Sequence, residues 1–84
     1  MNWSVKIKRS ALKELAGITK SERLRIIAAI DDLGLYPYRG SALKGELTGL
    51  RRIRIGSYRV IYEIREAELI VLVVAAGHRR EIYR

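Results

Sequence analysis

The stretch LRRIRIGSYRVIY, Leu50 to Tyr62, carries four arginines in thirteen residues that otherwise read as two short strands. Strands are built mainly from β-branched and aromatic residues, so the guanidiniums call for a chemical reason. Gly56-Ser57, taken as a two-residue loop with glycine first, suits a type II′ hairpin turn. That turn sets Ile55 opposite Tyr58, Arg54 opposite Arg59, Ile53 opposite Val60 and Arg52 opposite Ile61. Ile53, Ile55, Tyr58 and Val60 then share one side of the hairpin, and Arg52, Arg54 and Arg59 share the other. Like charges directly opposed destabilise an antiparallel pair, by roughly a few tenths of a kcal/mol when solvated. An anion between the two guanidiniums removes that repulsion. Guanidinium binds phosphate bidentately and stays charged at any working pH. The spacing therefore predicts a phosphate site on the open face of a curved sheet. The competing reading is a solvated basic face whose arginine stems lie over apolar neighbours.

The tail AAGHRREIYR, Ala75 to Arg84, adds more of the same chemistry. Read as leaving a strand through Gly77, it offers His78, Arg79, Arg80 and Tyr83 beside the arginine hairpin. Working side chains are frequent at such strand ends. Arg79 and Tyr83 can then join Arg52, Arg54 and Arg59 in one concave patch, with Lys44, Arg51, His78 and Arg80 as further RNA contacts. Positive neighbours would lower the Tyr83 phenol pKa, and its ring could stack on a base. His78 reads either as an acid/base group or as a structural hydrogen-bonder. One histidine and no cysteine leave too few ligands for zinc. No glycine-rich nucleotide loop, nucleophile elbow or paired acidic site is present, and Asp31-Asp32 reads as surface charge. Neither metal nor small-molecule cofactor is expected.

Composition points the same way. A formal charge of +8 on 84 residues predicts a polyanionic partner. The absence of cysteine suits a reducing cytoplasmic setting. MNWSVKIKRS has no apolar run suited to a signal peptide, and Leu69–Ala76 is far too short to span a bilayer. No helix combines a lysine-rich face with a large aromatic one, so a membrane partner is not expected.

The elements that must position these residues form one domain over 1–84. Trp3, Val5 and Ile7 alternate with Ser4, Lys6 and Lys8, an edge-strand pattern. Ala11, Leu12, Leu15 and Ala16 fall at helical spacing up to Gly17. Thr19 with Glu22 reads as a capping box opening a second helix, whose stripe is Leu24, Ile27, Ala28 and Ile30. From Gly34 to Gly49 the chain reads as a loop, with SALKGEL as a turn or strand start. Three strands follow, near Arg51–Ile55, Tyr58–Ile64 and Leu69–Ala76. The last, LIVLVVAA, is apolar on both alternating sets and is expected to be central and buried on both faces. The result is an α+β fold: an N-terminal strand, a two-helix hairpin, then a three-strand antiparallel meander in a small curved sheet.

The motifs LKG, RRIRIGSYRVIYEI and GHRREIYR, in this layout, resemble the RelE group of bacterial and archaeal toxins within the RelE/ParE superfamily. The likeness runs nearly end to end. It implies a RelE-like domain acting as a ribosome-dependent mRNA endonuclease, or mRNA interferase. In such an enzyme the ribose 2′-hydroxyl attacks the adjacent phosphate in the decoding site without a metal. It also implies a cognate antitoxin, acidic, helical and RelB-like, beside the translating ribosome and mRNA as partners. On matching positions, Arg52 and Arg54 stand for the family's basic pair and Arg59 for the phosphate-holding arginine. Arg79 stands on the leaving-group side, and Tyr83 for the tyrosine that stacks on the substrate. The family's pair is often lysine. Arginine there is effectively never deprotonated, which leaves the base open among Tyr83, His78 and none. The terminal carboxylate, one residue past Tyr83, is expected close to the site. The alternatives are a ParE-like toxin that poisons DNA gyrase and a non-catalytic RNA- or ribosome-binding module.

Overall fold

Alternation of apolar and polar residues at the N-terminus produces a strand that is solvated along one side. In the computed structural model, which describes residues 2–78, this is β1 (Ser4–Ile7). It is followed by α1 (Arg9–Ala16), α2 (Lys20–Asp32), the two-residue β2 (Ser41–Ala42), β3 (Leu50–Ile55), β4 (Tyr58–Arg65) and β5 (Ile70–His78). The strands make one sheet in the order β1-β5-β4-β3-β2. β1 is the edge strand expected from its outward lysines and pairs parallel to β5, while β3, β4 and β5 form the antiparallel meander. The fold is α+β, with both helices on one face. β2, inside SALKGEL, adds a short antiparallel edge to β3.

The core lies between that helical layer and the sheet. Ala11 and Leu15 from α1 meet Ile26, Ile30 and Leu33 from α2 and its end, and Val60, Tyr62, Val71, Val73 and Ala76 from the sheet. Both helical stripes are narrower than the apolar spacing suggested. Leu12 is 51% exposed and Leu24 56%, while Ile26 and Leu33 are fully buried. Each helix turns toward the sheet only the residues one or two turns apart on a single line, and leucines off that line stay in water. Thr19 does occupy the N-cap of α2, but its side chain makes no cap bond. Glu22 pairs instead with Arg25 at 3.3 Å, so the reciprocal capping box does not form.

β5 also departs from expectation. The middle strand is β4, and β5 lies between β1 and β4. On β5, Val71, Val73 and Ala76 are buried, whereas Ile70, Leu72 and Val74 are half-buried. The physical reason is that helices cover one face only. The strand does not stop at Ala76 either: it continues through Gly77 to His78. A bulge interrupts its pairing with β4, since Ile61 faces Ala75 while Tyr62 faces Val73. Val74 is the extra residue. Such a bulge bends the strand and reverses the side-chain phase beyond it.

Candidate nucleic-acid interface

The hairpin forms in the register the turn chemistry dictates. Gly56 has φ of +60°, the first central position of a II′ turn, and Ser57 is not in the left-handed region. Ile55 pairs with Tyr58, Arg54 with Arg59, Ile53 with Val60 and Arg52 with Ile61. Val60 and Tyr62 face the core, so the alternate residues Arg59 and Ile61 face away from the helices.

On that open face the ladders define two rows. One runs Arg54, Arg59, Gly77 across β3, β4 and β5. The other runs Ser41, Arg52, Ile61, Ala75 across β2 to β5. Neighbouring strands lie about 4.8 Å apart, so Arg54 and Arg59 stand side by side, with Arg52 one row away. Gly77 ends the first row and carries no side chain. Arg54 is exposed, while Arg52 and Arg59 are half-buried. The face thus carries three permanent charges on rigid backbone and a ladder position of low bulk beside them.

A clamp on the other side of the sheet shapes the edge of this face. Tyr62 is fully buried. Its hydroxyl donates to the Pro37 carbonyl at 2.7 Å and accepts the Gly40 N–H at 3.0 Å. Arg51, the ladder partner of Tyr62, donates from Nη2 to the carbonyls of Tyr38 (3.1 Å) and Gly40. Its guanidinium also lies 5.4 Å from the centre of the Tyr38 ring, a cation–π distance. Tyr38 in turn packs edge-on to Trp3 and donates to Glu66. The hydrogen bond to Glu66 comes first among the causes that hold the Tyr38 phenol above its ordinary pKa. Gly40 must be glycine here, because a Cβ would lie 2.5 Å from the Arg52 carbonyl oxygen and 2.6 Å from the Tyr62 hydroxyl. The loop is thereby drawn tight against β3. It leaves an edge cleft of about 320 Å³ lined by Arg39, Gly40, Ser41, Arg52, Ile53 and Arg54.

The expected site residues divide accordingly. Arg52, Arg54 and Arg59 come together on the open face. Arg51, expected as an RNA contact, does not join them: it projects from the opposite face and holds the loop. His78 is also turned away. It pairs with Tyr58 on the helix side, with ring centres 5.9 Å apart and nearly perpendicular planes. There it lines a cavity of about 500 Å³ with Lys13, Glu14 and Thr19, and the Glu14 carboxylate accepts the Ala76 N–H at 3.1 Å. The bulge at Val74 is the cause, since it inverts the facing of every later β5 residue. Lys44 stands exposed in the loop after β2. Arg79, Arg80 and Tyr83, and the carboxylate after Arg84, lie outside the described residues. Among the described residues no cluster of histidine, cysteine and acidic side chains could hold a metal ion. Sequence reasoning passed over Tyr62, Gly40, Ser41 and Arg39. The only hint was the dense Tyr-Pro-Tyr-Arg-Gly run, whose spacing does not say where the loop folds.

Comparison with known proteins places this chain among the toxins of type II toxin–antitoxin systems. Residues 5–83 match the family described as ParE toxin of type II toxin-antitoxin system, parDE. Toxin RelG of Mycobacterium tuberculosis is 32% identical over 90 residues, covering 100% of this chain and 99% of that protein. Among solved structures, the toxin-antitoxin complex RelBE2 of M. tuberculosis matches with TM-score 0.87 and 27% identity, over 94% of this chain and 100% of that one. The archaeal RelE-RelB complex of Pyrococcus horikoshii OT3 matches with TM-score 0.77 and 29% identity, over 96% and 99%. A mutant E. coli RelE in the free state, 21% identical, shares the fold with TM-score 0.79, over 93% of this chain and 84% of that one. The chain belongs to the RelE/ParE superfamily of type II toxin–antitoxin toxins, and within it to the RelE family.

Proposed function

We propose that this toxin is a ribosome-dependent mRNA endonuclease of the cytoplasm, cleaving the message in the decoding site by 2′-hydroxyl attack on the neighbouring phosphate. The observation that carries this reading is the direct opposition of Arg54 and Arg59, with Arg52 on the same face. A like-charge pair is unfavourable for the hairpin alone and becomes favourable around a dianionic phosphorane. Fixed guanidiniums stabilise charge as it develops without reorganising at that moment. The ribosome holds the RNA in a reactive geometry, so the toxin need contribute little positioning of its own. In this proposal Arg52, Arg54 and Arg59 surround the phosphate, and Arg79 stabilises the leaving 5′-oxygen. Tyr83 stacks on or deprotonates the nucleotide. Lys44 and Arg80 add phosphate contacts. Arg51 and His78 take no part in RNA contact, since both sit on the other side of the sheet. A cognate antitoxin, like those in the RelBE2 and archaeal RelE-RelB complexes, neutralises the basic face; an acidic, helical RelB-like chain suits its charge.

The matched family model bears the ParE description, which favours gyrase poisoning as the second reading. Toeprinting of an mRNA on translating ribosomes, run beside a plasmid DNA–gyrase cleavage assay, separates the two. Cleavage at the decoding site is the expected result. A gyrase ladder without mRNA cleavage transfers the assignment to the second reading. If neither appears, a non-catalytic RNA-binding module is left.

A further inference from the structure

The edge cleft contains a guanidinium that the nuclease reading does not use. Arg39 lines it together with Ser41, Arg52 and Arg54, at the point where β2 begins. Ser41 and Arg52 are ladder partners, so the hydroxyl stands on the arginine face. Arg52 and Arg54, two residues apart on one strand face, are about 7 Å from each other. An extended nucleotide strand spans that separation with successive phosphates. The cleft wall is rigid, because the Tyr62 and Arg51 bonds hold residues 37–40 in place. The carboxylate nearest to Arg39 stands outside the cleft. Asp32 pairs with the Arg39 guanidinium and lines the adjoining, mostly apolar depression with Leu35, Tyr36, Pro37 and Tyr38. Arg39 therefore sits at the rim between two depressions, tethered from one and reaching into the other. Its side chain is 61% exposed, so the tether is a weak surface pair that a phosphate can outcompete.

We propose that this cleft is a second phosphate subsite. It takes an RNA phosphodiester neighbouring the scissile one, with Arg39 and the Ser41 hydroxyl as its ligands opposite Arg52 and Arg54, and with Asp32 restraining Arg39 until RNA arrives. The inference rests on the RNA reading of the open face. The phosphodiester can belong to the message or to ribosomal RNA, and the binding probes below tell these apart.

The experiment measures binding of the full chain to a 2′-deoxy-blocked single-stranded RNA oligonucleotide, and to ribosomes with an empty decoding site, as a function of salt. For a message phosphate, Arg39→Ala lowers the magnitude of the log–log salt slope on the oligonucleotide by about 0.7, the value for one single-strand phosphate contact. For a ribosomal phosphate, the loss appears with ribosomes and not with the oligonucleotide. Asp32→Asn tightens binding to the same probe, and Arg39→Lys falls between wild type and Arg39→Ala because the charge survives without the bidentate fork. An unchanged slope for Arg39→Ala on both probes overturns the subsite. So does a polyglutamate peptide that loses affinity on Arg39→Ala as much as RNA does, since that would make the cleft a general carboxylate site. Asp32→Asn binding no more tightly than wild type overturns the restraint. Cleavage on translating ribosomes, assayed in parallel, keeps the two ideas apart. A wild type that cuts nothing, but whose slope falls with Arg39→Ala, sinks the nuclease reading and keeps the subsite.

Discussion

Arg51 and Arg52 are adjacent in the chain, identical in chemistry, and opposite in use. Arg51 faces the side where the loop 37–40 is drawn in, and its guanidinium is engaged by two backbone carbonyls and an aromatic ring. Arg52 faces the open side, one row away from the Arg54–Arg59 pair. The contrast extends to the two sides of the sheet as wholes. On the helix side the Tyr62 hydroxyl bridges Pro37 and Gly40, and Glu14 takes the Ala76 N–H. The open side carries the guanidiniums of Arg52, Arg54 and Arg59 on neighbouring strands. One side holds the loop in place; the other is the face on which the proposed function places the RNA phosphate.

This division can be broken most sharply at Arg59. Its replacement by alanine should slow mRNA cleavage on translating ribosomes at least about a hundredfold, the loss expected for one transition-state donor. A wild-type rate would remove Arg59 from the chemistry. Gly40→Ala attacks the stabilising side. The new Cβ meets backbone 2.5 Å away, so the loop must lift from β3, and thermal unfolding should show a loss of about 1–3 kcal/mol. Tyr62→Phe keeps the ring but strands the Pro37 carbonyl and the Gly40 N–H, at a cost of about 1–2 kcal/mol by denaturant titration. A neutral result would mean that the loop is held by Arg51 alone. Arg54→Ala tests the open side in the reverse sense. It should leave the melting temperature unchanged or raise it slightly, by roughly a few tenths of a kcal/mol, because a like-charge pair disappears. A marked drop would make Arg54 structural.

The smallest effect concerns pH. Tyr38 titrates above the ordinary tyrosine range, chiefly through its hydrogen bond to Glu66. A raised folded pKa favours the protonated phenol. The tie between the loop and the end of β4 is therefore fully present below about pH 10 and is lost as pH rises through the higher folded value. Glu66→Gln should bring the Tyr38 ultraviolet titration back down. An unmoved midpoint would exclude Glu66 as the cause.

The hairpin register could be read from thirteen residues because a two-residue turn with glycine first leaves one pairing, and pairing decides facing. The edge character of β1 and the presence of two helices were likewise written in local alternation and periodicity. The facing of His78 was not. It depends on one unpaired residue, Val74, that no local pattern in LIVLVVAA distinguishes from its neighbours. The separate fates of Arg51 and Arg52, and the placing of Arg39 beside Ser41 across the edge cleft, depend on where a Pro- and Gly-containing loop returns to the sheet. Short-range rules follow from backbone geometry over a few residues. Bulges and loop returns are settled by packing between residues far apart in sequence, such as Tyr62 with Pro37 and Gly40, and only the folded chain brings those together.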